Sequence, residues 1–466
     1  MVELIETDYL VIGAGAAGMA FTDSLLAHSD ATVTIVDRRH APGGHWIDAY
    51  PFVRLHQPSA FYGVSSVPLG RDTVDSSGLN AGFYELASAD ELRAYYTRVM
   101  QEHFLPSGRV RYFPSSDYAA AADGGHGFSS RLNGARREVR VKRKVVDTTY
   151  LEGSIPATSA PPFEVADGVR CIPVGDLARL AERPDRFVIV GAGKTALDAC
   201  VWLISQGVPA DCIRWIKPRE GWWLNRRYHQ PRTFLPDFYA GLSLQLQAMA
   251  QAVSIEDVMS RLEADGFLLR VDTTVTPTMC HAPIVSEAEL GLLRQIEDVV
   301  RLGHVRRIER DRIVLDEGAV PTSENAVHVH CAALGLARRK PRPIFEADRV
   351  TVQPVSWAFS NYQFALLGVV EAAIEGAEDK NRLCRPIRYW DRNADYLSAF
   401  LATLAGEQAM AAYPAVAGWA KQTRLNPLAD IGQYRAHPTV VEARERIRQF
   451  GPAAAGNIVK LLSARD

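Results

Sequence analysis

No two of the six cysteines (Cys171, Cys200, Cys212, Cys280, Cys331, Cys384) share C-x-x-C spacing. That absence disfavours a dithiol redox centre and a structural zinc site, and leaves each cysteine as a small buried or neutral thiol. Charge of one sign is also lacking: Lys plus Arg is 52, Asp plus Glu is 54, and the formal net charge is -2. No global field then gathers nucleic acid or an anionic membrane, and partners must be recognised at local sites. The longest apolar runs, such as Asp8 to Phe21 and Arg186 to Ile204, are broken by glycine or charge and fall short of the roughly 20 residues that cross a bilayer. The N-terminus has no basic stretch followed by an apolar one, so a cytoplasmic protein is expected. His328 and His330 alternate on one strand face without a third ligand in view, and no metal site is expected.

What is present is enough apolar residue (47%) in 466 residues for two or three domains, since single cores stop growing well before that length. Asp8 to Ile12 reads as a buried strand, Ala16 to Ala27 as a helix and Thr32 to Val36 as a second strand, which together make a βαβ unit. The order recurs at Arg186 to Val190, Thr195 to Ile204 and Ile213 to Ile216. Two mononucleotide-binding folds follow, giving an α/β fold with two Rossmann-like domains. Between them, Ser88 to Phe104 reads as a helix, Val139, Val141 and Val145 suggest an antiparallel layer, and Ile155 to Phe163 reads as a linker. Leu235 to Val300 reads as a helical cap with Leu242, Leu244, Leu246, Met249 and Val253 on a buried stripe. Ala326 to Leu336 reads as a buried strand ending in Gly335, and Tyr389 to Leu462 as mainly helical.

The first fingerprint is Gly13-Ala14-Gly15-Ala16-Ala17-Gly18, set between strand and helix. Its first glycine makes the turn, the second lets backbone approach a pyrophosphate, and the third lets helix meet strand. Asp37 closes the next strand nineteen residues beyond Gly18, where a carboxylate accepts hydrogen bonds from an adenosine ribose. The second fingerprint is Gly191-Ala192-Gly193-Lys194-Thr195-Ala196, with alanine as its sixth residue. No acid ends the strand after it; Lys217 and Arg219 stand there instead. Cations in that place suit a ribose 2′-phosphate and point to NADPH over NADH, with a solvated basic turn as the alternative. Two dinucleotide sites imply two-electron transfer between cofactors, flavin and nicotinamide being the usual pair. Asp37 would repel a 2′-phosphate, so FAD is assigned to the first site and NADPH to the second.

These fingerprints, Asp37 and the Gly43-Gly44-His45-Trp46 segment, in this order, resemble flavin-containing monooxygenases, and more weakly their N-hydroxylating and Baeyer–Villiger relatives. The resemblance spans roughly Val2 to Glu375, and Cys331-Ala332-Ala333-Leu334-Gly335 is similar to the segment that brings such chains back to FAD. It implies a FAD-binding part at 1–165, an NADPH-binding domain at 166–335 with a helical cap at about 235–300, and a FAD-domain return with a helical C-terminal region at 336–466. It implies cofactor contacts from Gly13, Gly15, Gly18, Asp37, Gly44, Trp46, Gly191, Gly193, Lys194, Thr195, Lys217, Arg219 and Gly335. The activity implied is NADPH-dependent monooxygenation through a C4a-peroxyflavin, with O2 and a small nucleophilic substrate as partners, oxygenated at nitrogen or, alternatively, sulfur. A flavin-dependent NADPH dehydrogenase or oxidase needs the same fingerprints and stays open, as does a non-catalytic redox sensor. A homodimer is compatible with all of these.

The chain departs from the family in two places. No F-x-G-x-x-x-H stretch is found, Tyr112 to Tyr118 lying where it would fall, and the family's asparagine after the Gly-Gly-x-Trp segment is missing. Gln57 or His56 is the candidate for the polar group beside the flavin, a satisfied loop hydrogen bond being the alternative. Arg226, Arg227 and Arg232 open the inserted cap and are candidates to hold a substrate carboxylate while its amine is oxygenated. Trp222 and Trp223 read as packing.

Overall fold

The structure is a computed structural model and describes residues 3–120, 124–333, 335–357 and 359–464; Val2 and Leu334, which the sequence reading included, lie outside them. β1 (Glu3–Ile12) runs into α1 (Ala16–Ala27) and β2 (Val33–Val36), the expected βαβ unit. The chain then makes a long loop before α2 (Ala89–Arg98), which Ser88 opens with a reciprocal capping box to Glu91. The expected helix to Phe104 is completed by a wider π turn over Val99–Phe104. β3 (Val110–Phe113), β4 (Ser116–Ala120), β5 (His126–Ser130) and β6 (Arg136–Asp147) complete this half. The strand order is β3-β2-β1-β6-β5-β4. β6 is long because it serves two layers, pairing parallel to β1 throughout and antiparallel to β5 near its start. The antiparallel layer expected from Val139, Val141 and Val145 is therefore only its outer edge.

Two short strands, β7 (Glu164–Val165) and β8 (Cys171–Pro173), lead to β9 (Phe187–Val190), α3 (Lys194–Ser205) and β10 (Ile213–Ile216). β11 (Trp223–Asn225), α4 (Leu235–Gln251), α5 (Ile255–Ala264), β12 (Leu268–Leu269), β13 (Ile284–Val285) and α6 (Glu287–Leu293) then intervene. β14 (Val299–Val300) resumes the sheet, and β15 (Val305–Ile308), β16 (Arg312–Leu315) and β17 (Gly318–Pro321) form a side hairpin layer before β18 (Val327–His330). The second sheet runs β14-β10-β9-β18-β8, all parallel. In both sheets the first strand of the βαβ unit has the second and third on one side and a later strand on the other. This repeated order places a ligand crevice at the carboxyl end of each first strand.

β19 (Arg349–Thr351) returns to the first sheet beside β6, and α7 (Ser360–Ala373) packs on α1. Gly368 makes that packing possible, because a Cβ there would lie 2.4 Å from the carbonyl oxygen of Phe21. α8 (Ala377–Leu383), α9 (Asn393–Met410), α10 (Pro414–Gln422) and α11 (Pro438–Ser463) finish the chain.

Two local expectations are corrected. The stripe on α4 buries Leu246 and Met249, but Leu242 and Leu244 are only partly covered and Val253 is 85% exposed. α4 ends at Gln251, so Val253 falls outside it, just ahead of the Ser254 cap of α5. The strand expected over Ala326 to Leu336 is only the four residues of β18, because the chain leaves the sheet at Cys331 to reach the first domain. The inserted helices pack on the C-terminal region: α4 lies along α11, and α5 meets α9. They share one core in which Met249, Val258, Leu262, Phe400 and Ile458 are buried together. Among the described residues no helix is long and apolar enough to cross a membrane, no group of three or more His, Cys, Asp or Glu is placed to hold a metal, and the six cysteines are free.

Candidate functional site

The first fingerprint turns between β1 and α1 with Gly13 at φ +104°, a left-handed region that glycine enters without a steric penalty. A Cβ on Gly18 would sit 2.1 Å from the carbonyl oxygen of Gly13, so helix and turn touch through backbone. Asp37 is buried, and its carboxylate accepts from the Ala14 amide at 2.5 Å and the Arg39 amide at 2.7 Å. Burial pushes its pKa up, against the pull of those two amides. The Gly43-Gly44-His45-Trp46 segment folds back over the fingerprint: the Gly43 amide donates to Ala14 O at 2.9 Å, and Gly44 faces Gly15 so closely that a Cβ on Gly44 would lie 2.8 Å from Gly15 Cα. Trp46 is buried and donates from Nε1 to the Tyr62 hydroxyl at 2.8 Å.

Beyond Asp37 opens a cleft of about 1030 Å³, lined by Arg38, Arg39, Asp48, Ser115, Glu152 and Ser154 among others. A glycine turn at a helix N-terminus, a buried carboxylate at the end of the second strand and a nearby polar cleft fit an adenine dinucleotide. Gly335, at φ +65°, pairs by a bridge with Ser154 at the edge of this region. The return segment therefore reaches the first domain, with Leu334 outside the described residues.

The second fingerprint turns between β9 and α3. Gly191 packs against Cys331, while a Cβ on Gly193 would meet no atom within 4 Å. The helix N-terminus is thus open to solvent on the side where a pyrophosphate would fit. Ala196 fills the third-glycine position and is fully buried.

The basic turn after β10 is occupied from within. Lys217 is 1% exposed, pairs with Glu220 at 2.5 Å and lies 4.2 Å over the Trp215 ring centroid. Burial lowers its pKa and the Glu220 charge opposes that shift. Glu220 also takes Arg301 at 2.8 Å. Arg219 forks onto Asp391 at 2.7 and 3.3 Å. The sequence signal for the first pair was present, a glutamate three residues after the lysine; its burial was not legible.

One loop joins the two folds. Tyr50 donates its hydroxyl to Asp198 on α3 at 2.6 Å, and Phe52 stacks on Trp202 with ring centroids 4.5 Å apart. His56 Nδ1 accepts the Ile284 amide at 3.2 Å, which leaves the neutral ring with its proton on Nε2. Burial and the nearby charges of Lys194 and Arg226 pull its pKa down to about 3. Gln57 is buried and donates to Phe61 O at 3.3 Å. Lys194 pairs with Asp198 and, at 3.6 Å, with Glu289.

Arg226, Arg227 and Arg232 do not form one clamp. Arg226 is 1% exposed, paired with Glu289 at 2.7 Å and donating to Asn80 Oδ1 at 3.2 Å. Arg227 pairs with Asp237, and Arg232 with Asp72 and Asp430, both on the surface. Each guanidinium already has a carboxylate of the chain. His328 and His330 are separately bonded, the first to Thr322 and the second to the Ala332 amide. Trp222 and Trp223 are buried in two different cores.

His229, 2% exposed in this region, has its pKa lowered by burial to about 4. Its unfolded form protonates near 6.5, so between about 6.5 and about 4 the unfolded chain binds the extra proton and folding stability falls as pH falls. His229→Gln is expected to flatten the dependence of the urea midpoint on pH in that window. An unchanged slope would place the acid sensitivity elsewhere.

A family model described as an NAD(P)-binding Rossmann-like domain matches residues 11–58, which hold the first fingerprint and Asp37. The uncharacterized protein Rv2000 of Mycobacterium tuberculosis is 44% identical over 466 residues, spanning 99% of this chain and 85% of that protein. Mb2023 of Mycobacterium bovis matches to the same extent. Among solved structures, cyclohexanone monooxygenase from Rhodococcus sp. Phi1 bound to NADP+ is 14% identical, with 79% of this chain and 83% of that one covered and a TM-score of 0.48. S-allyl-L-cysteine S-oxygenase from Allium sativum is 14% identical, with 96% and 99% covered and a TM-score of 0.47. With 44% identity held over nearly all of its length, the chain belongs to the same family as the mycobacterial protein Rv2000.

Proposed function

We propose that the chain is an NADPH-dependent FAD monooxygenase that oxygenates a small nucleophilic substrate, at nitrogen in the first instance. The observation that carries this reading is the single loop between β2 and α2. At its start Gly43 and Gly44 lie on the first fingerprint, and further along Tyr50, Phe52 and His56 hold α3 and the inserted segment. One stretch of chain fixes two dinucleotide folds against each other, an arrangement suited to electron transfer between two bound cofactors.

FAD would be held by the Gly13–Gly18 turn, Asp37 and the Gly44–Trp46 segment, and NADPH by the Gly191–Thr195 turn. When bound, the flavin supplies two-electron exchange with nicotinamide and the activation of dioxygen. The chain contributes position and dryness. The N-terminus of α3 would meet the pyrophosphate, with Lys194 beside it held by Asp198 and Glu289, and the buried Trp46–Tyr62 hydrogen bond would fix the Gly44–Trp46 segment under the flavin dinucleotide. His56, neutral at working pH, offers a fixed Nε2–H donor, and Gln57 an oriented amide. The placement of the three arginines gives no support to a substrate carboxylate clamp, so the acceptor is proposed by its nucleophilic nitrogen alone, with sulfur as the alternative.

The test is turnover of FAD-loaded protein with NADPH and 18O2 over panels of amines, amino acids and thioethers. Expected is one 18O atom in a hydroxylamine, oxime, nitroso or sulfoxide product for each NADPH consumed. Quantitative release of hydrogen peroxide with every acceptor would replace this reading with an NADPH oxidase.

A further inference from the structure

We propose that Asp391 is a built-in stand-in for the 2′-phosphate of NADPH, and that Arg219 and Arg338 read this phosphate when it displaces the carboxylate. The proposal rests on NADPH binding at the second fold and identifies the residues that select it.

Arg219, Arg301 and Arg338 all lie on segments leaving the carboxyl ends of strands in the second sheet, namely β10, β14 and β18. Ligands of parallel sheets bind outside those ends. Lys217 and Arg301 are matched by Glu220 and Asp272. Arg219 and Arg338 instead converge on one carboxylate brought by a different part of the chain, the segment entering α9. Arg219 reaches Asp391 Oδ1 and Oδ2 at 2.7 and 3.3 Å, and Arg338 reaches them at 3.1 and 3.4 Å. His281 Nε2 meets Oδ1 at 2.7 Å. Two planar forks closing on one anion match a phosphate as well as a carboxylate. Phosphate brings more charge and a third oxygen, which favours the exchange.

The exchange is also accessible. The side chain of Arg338 is 48% exposed and that of Arg219 33%, against 16% for Asp391, so a ligand can reach both guanidinium groups from solvent. The backbone of Asp391 is tied at both ends, its amide to Asp395 at 3.0 Å and its carbonyl to the Cys280 amide at 2.9 Å, so only the side chain has to turn. Burial raises the Asp391 pKa, but hydrogen bonds from Arg219 and His281 outweigh it and hold the carboxyl well below its usual range. Asp391 therefore competes as a fixed anion at every working pH.

The experiment is calorimetric titration of the FAD-loaded protein with 2′,5′-ADP and with 5′-AMP, which differ only in the 2′-phosphate, followed by KM values for NADPH and NADH. Asp391→Asn is expected to tighten 2′,5′-ADP on the order of tenfold and leave 5′-AMP unchanged, and Arg338→Gln to weaken 2′,5′-ADP on the order of tenfold with 5′-AMP again unchanged. Unchanged or weaker 2′,5′-ADP binding by Asp391→Asn overturns the proposal, as does a selective loss of 5′-AMP and NADH, which would make the carboxylate a ribose ligand. Should Asp391→Asn fail to fold, Arg338→Gln decides alone, and equal 2′,5′-ADP affinity in that variant and the wild type overturns the proposal. If the wild type binds neither nucleotide, the second dinucleotide site itself is wrong and this inference falls with it; wild-type binding without the variant effects sinks only the role of Asp391 and Arg338.

Discussion

Lys217→Ala is expected to destabilise the fold by about 3 kcal/mol, the low end of what removing one partner from a buried ion pair costs. Both Lys217 and Glu220 have side chains only 1% exposed, so the substitution leaves a carboxylate without its nearest counter-charge in a site water cannot enter. Arg301, 31% exposed and 2.8 Å from Glu220, offsets part of the loss, which is why the low end applies. Urea denaturation measures it, and the KM ratio for NADPH and NADH should hardly move. The opposite pattern, unaltered stability with a selective rise in the NADPH KM, would return Lys217 to the role of phosphate ligand that its place in the sequence suggests.

Gly18→Ala is expected to abolish FAD retention, whereas Gly193→Ala should leave the apoprotein intact and act only on the nucleotide. The methyl at position 18 would lie 2.1 Å from Gly13 O and 3.2 Å from its carbonyl carbon. Both are backbone atoms of the turn itself, so β1 and α1 must part and the pyrophosphate cradle is lost with them. Gly193 has φ -90° and open space where the methyl would go, so an alanine fits without strain. Its cost falls where a dinucleotide backbone must come close, and an increase in NADPH Kd of ten- to a hundredfold is expected, corresponding to about 1.4 to 2.8 kcal/mol. Melting curves and flavin content separate the two variants. A Gly18→Ala protein that stays yellow would contradict the packing described here.

Both βαβ units were legible because their signals are local: an apolar run, a glycine turn and a small-residue helix within about thirty residues. Ala16–Ala27 and Ile213–Ile216 have the bounds expected from the sequence. The inserted segment was read as helical, but not as half of a core with α11, since no local pattern announces a partner some two hundred residues on. The same limit governs the charges. Arg226 looked free to meet a substrate, and its partner Glu289 arrives on α6. Arg219 looked free to meet a phosphate, and its partner Asp391 arrives ahead of α9. Fingerprints declare themselves by spacing, whereas the occupancy of a cation is decided by tertiary neighbours that spacing does not encode.

The central claim, that two dinucleotide sites in one chain exchange electrons, is tested most directly by adding NADPH to FAD-loaded protein without oxygen and following the flavin absorbance. The account predicts complete bleaching of the oxidised flavin band by one equivalent of NADPH, faster than by NADH, with the colour returning when air is admitted. A protein that takes up no FAD, or whose bound flavin stays oxidised in excess NADPH, would contradict it.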